Sequence, residues 1–161
     1  MGDLDHIPVL SPCSFDLILS LESFHCFSNL PHLLDSVRNL LRSSAGMPQD
    51  DQRPSNPFDH QSTGEFVIGD IFDKSQIPEL ESLFLRHGFN IHKKEIITFN
   101  VKHALQLDKP RVEKLISSIS TNLVLRRFLR NFFSSAEGCK IWEELGKSKE
   151  YICYVLKPSH T

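Results

Sequence analysis

The stretch Ser14–Phe27, SFDLILSLESFHCF, decides how the chain is read. Phe15–Leu21 has five large apolar residues, with only Asp16 and Ser20 between them. A near-continuous apolar run of that length is expected of a strand buried on both faces, as in a parallel sheet. The run stops at Glu22, and His25 follows, so the strand ends on a carboxylate and an imidazole. Pro31 then stands where a first helical turn belongs, and Leu33, Val37, Leu40 and Leu41 recur at helical spacing. The reading is strand, loop, helix.

Outward from this unit the alternation continues. Ser43–Gly64 has three prolines and little to bury, and is expected to be a mobile surface loop. Glu65–Ile71, EFVIGDI, reads as a second buried strand. Ile77, Leu80, Leu83 and Phe84 mark a second helix, ended by Gly88 as a C′ glycine would end it. Phe89–Thr98 reads as a third strand. Strand–helix–strand–helix–strand order argues for a parallel α/β sheet. Beyond it, Val101–Leu107 and Pro110–Ile119 read as two short helices, with Pro110 opening the second. In Asn122–Phe133, Leu125, Phe128, Leu129 and Phe132 share one stripe and Arg126, Arg127 and Arg130 lie opposite. Tyr151–Pro158, YICYVLKP, closes the chain as a strand.

Composition narrows the function classes. The chain has 161 residues, is 40% hydrophobic and carries a net charge of −2, which gives no electrostatic case for nucleic acid. Residues 1–100 hold 7 Lys/Arg against 14 Asp/Glu, and residues 101–161 hold 11 against 6. Solvated helix faces account for that asymmetry as readily as an anionic ligand does. Cys13, Cys26, Cys139 and Cys153 have no CxxC spacing, and no signal-like apolar stretch follows Met1. Reduced thiols and a cytoplasmic location are therefore expected. No run is long enough to span a membrane. His87, His92 and His103 lack zinc-motif spacing, so no metal site is expected.

The segment GDLDHIPVLSPCSFDLILSLESFHCFSNLPHLLDSVRNLL resembles the second half of the S-adenosylmethionine-binding core of class I methyltransferases of the broad type 11 group. Members there read GDA-x-x-LPF, a spacer, SFD before an apolar strand, ES-x-H, and a leucine-rich helix. This chain has GDL for GDA and IPV for LPF, with order and spacing kept. GDIFDKSQIPELESLFLRHGFNIHKKEIITFNVKHAL is similar to the group's next strand, helix and GF-containing strand, and EYICYVLKP to its final antiparallel strand. The resemblance spans nearly all of the chain except Ser43–Gly64.

The resemblance implies an α/β fold, the C-terminal half of a Rossmann-like seven-stranded sheet with additional C-terminal helices. It implies one partial domain over 1–161, with a loop at 43–64, a helical cap at 101–147 and a final strand at 151–158. Asp3 matches the acid that accepts from the adenine amino group, with Leu4 beside it, although a position so near Met1 equally suits a frayed end. Ser20 and Leu21 stand at the strand end that faces the ligand crevice in open α/β sheets. Glu22 and His25 follow on the acceptor side, where His25 is placed to take a proton. The same position suits a loop histidine that caps the next helix. The implied cofactor is S-adenosylmethionine and the implied acceptor a small, lipid-like molecule.

The family's glycine-rich loop and its ribose-binding acid are not found here: the seven glycines are scattered singly, with no GxGxG. A truncated form is therefore expected, or a partner chain that supplies the other half. The alternative function is a non-catalytic half-domain that pairs with and regulates a related chain. Phe15–Leu21 would then be an apolar sheet edge. The arginine-backed stripe is expected to pack on the core as a lid, with a lipid surface as the other use. Trp142, Phe128, Phe132 and Phe133 suit either an apolar pocket or the core.

Overall fold

A computed structural model describes residues 10, 12, 14–42, 64–119, 122–132 and 140–159, with backbone alone at 130–132 and 140. Asp3, Leu4 and all of the 43–64 loop except Gly64 lie outside the described residues.

Four strands form one sheet in the order β1-β2-β4-β3, where β1 is Leu17–Leu21, β2 Glu65–Asp73, β3 Phe89–Ile96 and β4 Lys149–Pro158. β1 and β2 are parallel, with Leu17 opposite Glu65 and Leu21 opposite Gly69. β4 runs antiparallel to both of its neighbours. Lys157 near its end pairs with Glu65 at the start of β2 (3.0 Å), and Ser148 before its start accepts from the Lys74 N–H just past β2. On the other side, Ser159 N–H donates to the Gly88 carbonyl and Ile97 N–H to that of Tyr151.

Two compact units divide the chain. The first takes residues up to Asp70, then Gln76–Glu95 and Cys153 onward. In it, α1 (Leu30–Leu40) buries Leu33, Leu34 and Val37 and has Pro31 in its first turn. Asn29 caps it, its Oδ1 accepting from the His32 N–H at 3.1 Å. α2 (Ile77–Arg86) buries Ile77, Leu80 and Phe84. Phe84 packs against Phe24 and Tyr154, with ring centroids 6.1 and 5.4 Å apart, and Phe24 also meets Phe66. Such tilted and edge-on aromatic pairs add to the area they bury. Gly88 has φ +72°, the left-handed turn expected at a helix end, and a Cβ there would meet the Arg38 guanidinium at 2.7 Å.

The second unit takes Ile71–Ser75 and Ile96–Ile152. It holds α3 (Thr98–Ile119), α4 (Leu123–Phe132) and α5 (Lys140–Glu144). The two short helices expected over 101–119 are one helix with Pro110 inside it. Proline removes only its own N–H bond from a ladder of 22 residues. Asp108 and Arg111 then bridge the proline turn with two side-chain bonds of 2.5 and 2.7 Å. Arg111 holds Asp108 below the ordinary carboxylate range through that hydrogen bond. Lys102 lies over the Trp142 ring at 5.0 Å and donates to the Leu145 carbonyl.

Two expectations about burial change. Leu17, Leu19 and Leu21 are at least half exposed, while Ser20 on the other face is buried. Among the described residues β1 is thus covered on one face only, and it begins at Leu17, with Phe15 in an isolated bridge to Leu41. An apolar run shows that a strand is made for burial, not that its cover is at hand. Similarly, Leu125 and Phe128 of α4 are exposed, while Leu129 beside them is half-buried. The final strand begins at Lys149, two residues earlier than its apolar pattern.

Candidate functional site

β1 and β2 are in register up to Leu21 and Gly69, where β1 ends while β2 runs on to Asp73. The Glu22 N–H donates to the Gly69 carbonyl at 2.8 Å, which extends the pairing by one residue and then turns the chain. The turn is sharp: Glu22 has φ 54°, left-handed without being glycine. For a non-glycine residue this costs about 1–2 kcal/mol, and such outliers gather at functional sites. Ser20 and Ser23 close the turn with a 3.0 Å hydroxyl–hydroxyl bond. A single 3-10 turn, Phe24–Cys26, follows and drives Phe24 into the core, where it is 1% exposed.

With Phe24 anchored, His25 faces outward over β2. Its backbone N–H donates to Asp70 Oδ2 at 3.0 Å, and its Nδ1 lies 2.9 and 3.0 Å from the two carboxylate oxygens. Asp70 is 1% exposed, whereas the His25 side chain is 58% exposed. A buried carboxylate needs donors around it, and His25 supplies two. The consequence for the imidazole is chemical. A carboxylate can only accept, so Nδ1–H donates to Asp70 and the neutral ring keeps Nε2 as its acceptor.

No family model matches the chain. A curated relative, the phthiotriol/phenolphthiotriol dimycocerosates methyltransferase of Mycobacterium leprae, is 34% identical over 79 residues, which are 49% of this chain and 26% of that protein. Among solved structures, the Haemonchus contortus phosphoethanolamine N-methyltransferase 2, bound to phosphomonomethylethanolamine and S-adenosylhomocysteine, superposes with a TM-score of 0.62. It is 13% identical and covers 94% of this chain and 35% of its own. The O-methyltransferase of a Brevibacillus brevis polyketide synthase multienzyme, bound to S-adenosylhomocysteine, gives 0.53 at 16% identity, over 92% and 45%. The chain shares its fold with the matched parts of these two methyltransferases. This chain spans about a quarter of the curated relative and less than half of either solved chain.

Within this methyltransferase fold the four described sequence candidates fall together. Ser20, Leu21, Glu22 and His25 all lie at the carboxyl end of β1, while Asp3 and Leu4 lie outside the described residues. His25 does not cap α1; Asn29 does. Asp70 is the site residue that sequence reasoning passed over. Its signal was an acid breaking the apolar strand EFVIGDI, but its partner lies 45 residues away in sequence. Among the described residues no group of three potential metal ligands converges, and His87 instead bonds Asp35 at 2.7 Å. No helix among them is long and apolar enough to cross a membrane.

The strained turn gives a direct test. Glu22→Gly removes the left-handed penalty and is expected to raise stability by about 0.5–1 kcal/mol, a gain reduced by glycine's larger unfolded-state entropy. Denaturant unfolding checks it, and a lower midpoint would show that the carboxylate, not the turn, governs this position.

Proposed function

We propose that the chain is the C-terminal part of an S-adenosylmethionine-dependent methyltransferase acting on a small, lipid-like acceptor, with His25 as the proton acceptor and Asp70 as its positioning residue. One observation carries the reading: the His25–Asp70 pair stands just past the carboxyl end of β1, against the second half of parallel β2, on the side where open α/β sheets place their ligands. The curated relative is named for phthiotriol and phenolphthiotriol dimycocerosates as its acceptors, which supports that substrate class.

The fit to the cofactor is partial. Around residues 20–26 and 69–70, the exposed Leu21 offers an apolar contact for an adenosyl group, while the Ser20 hydroxyl is buried on the opposite face and bonded to Ser23. Neither lysine, arginine nor a glycine-rich turn is present there to hold the methionyl carboxylate. When bound, the cofactor supplies an electrophilic methyl group and keeps the C–S electron pair as the thioether forms. The chain's own part is proton handling. An acceptor O–H or N–H hydrogen-bonded to His25 Nε2 gives up its proton there as its lone pair forms the new bond to carbon. Asp70 keeps Nδ1 protonated throughout and stabilises the imidazolium that results. Glu22, exposed beside it, is placed to hold a polar group of the acceptor.

Calorimetric titration with S-adenosylmethionine tests this. The isolated chain is expected to show no saturable low-micromolar binding. The reading frame extended upstream of Met1, or a complex with a chain that supplies a glycine-rich strand–turn–helix, is expected to bind at one site. One-site binding by the isolated chain would overturn the divided site, and absence of binding by the completed sheet would overturn the methyltransferase reading.

A further inference from the structure

We propose that α4 is a docking surface for anionic lipid headgroups, and that it lies in the plane of a membrane interface with its apolar side down. The helix LVLRRFLRNF carries three arginines and no acid. At 100° per residue, Val124, Leu125, Phe128 and Leu129 fall within an arc of roughly 140°, and Arg126 and Arg127 point from the opposite side. Leu123, at the helix start, falls among the arginines. This apolar arc is open: Val124 is 79% exposed and Phe128 64%.

The helix is nonetheless held in place. Asn122 Oδ1 accepts from the N–H groups of Val124 (2.9 Å) and Leu125 (3.3 Å), and Arg126 Nη2 reaches the Ser117 carbonyl of α3 at 3.5 Å. A ten-residue helix is marginal in water unless an apolar face packs against something. Here Val124, Leu125 and Phe128 meet solvent and Leu129 is half-buried, so among the described residues most of the arc is left without apolar cover.

Charge selects the occupant. A helix with an apolar arc of Val, Leu and Phe backed by arginines matches an interfacial amphipathic helix, whose basic side chains reach back to headgroups while the apolar side enters the acyl boundary. The excess of 11 Lys/Arg over 6 Asp/Glu in residues 101–161 has the same sign. The surface stands independently of the methyl-transfer reading.

Vesicle flotation of the full chain tests the proposal, since aggregates sink and only vesicle-bound protein rises. The chain is expected to float with phosphatidylcholine vesicles containing phosphatidylserine, far less with phosphatidylcholine alone, and to be released by added salt. The double variant R126Q/R127Q is expected to lower partitioning on anionic vesicles by roughly 10- to 30-fold. Phe128→Ser is expected to lower it by roughly tenfold or more, with an unchanged circular dichroism spectrum because the residue is exposed. Absence of flotation, or flotation that neither variant changes, overturns the proposal. So does loss of self-association in Phe128→Ser without any flotation, which would assign the face to a second copy of the chain.

Discussion

Replacing His25 by alanine is expected to lower kcat of the completed enzyme by about 10²–10⁴-fold, the usual contribution of a positioned general base. KM for the acceptor should change much less, because the imidazole handles a proton rather than the acceptor's bulk. Exogenous imidazole is expected to restore part of the rate, since the 58% exposed side chain leaves a cavity open to solvent. An acceptor whose nucleophile is already ionised should lose little rate in the variant. Equal losses for ionised and neutral acceptors would remove His25 from the proton path. Asp70→Asn tests the positioning residue. Asparagine keeps the size but loses the charge that stabilises the imidazolium, so kcat should fall less than in His25→Ala while KM holds. A merely structural role would instead lower thermal stability with kcat unchanged.

The two members of this pair were unequally legible in the sequence. His25 announced itself because a buried-type strand stopped on Glu22 and the loop after it was short. Asp70 sits inside an apolar run, and single residues in strands are not assigned partners by periodicity. Only the register of β1 on β2, with Leu21 opposite Gly69, brings the two together. That register depends on backbone pairing between segments separated by a long polar stretch, and no local pattern encodes it.

Elsewhere the local signals held where one strong rule acted alone. Pro31 opens α1, and Gly88 closes α2 through a backbone angle that glycine adopts freely. Where two rules competed, the sequence misled. Pro110 reads as a helix start, yet the helical preference of the residues on both sides carried one helix across it. Leu17, Leu19 and Leu21 read as core, and half of each meets solvent. Hydrophobic pattern reports what a surface requires, and the requirement is met only when the covering layer is present.

That unmet requirement sets the remaining large effect. β1 is the edge of the sheet, and among the described residues no strand pairs with its outer side. Its uncovered face presents three leucines at alternate positions. An edge of this kind, apolar and free of proline, templates pairing with another chain. The isolated protein is therefore expected to self-associate in a concentration-dependent way, and sedimentation velocity across a dilution series checks this. Leu19→Lys puts a charge on the exposed face and removes a leucine whose burial contributes about 1.5–3 kcal/mol, so association should weaken by roughly tenfold or more. Ile18→Lys should behave oppositely. Ile18 shares the face of buried Ser20, where a lysine would be partly stripped of water without a partner, and the fold would lose stability while the edge stayed sticky. A chain that pairs with the outer side of β1 should suppress self-association more fully than Leu19→Lys, because it occupies the edge itself. A dilution-insensitive monomer with a cooperative melt would refute the open edge and assign its cover to residues outside those described, with 1–9 and 43–63 the segments to delete first.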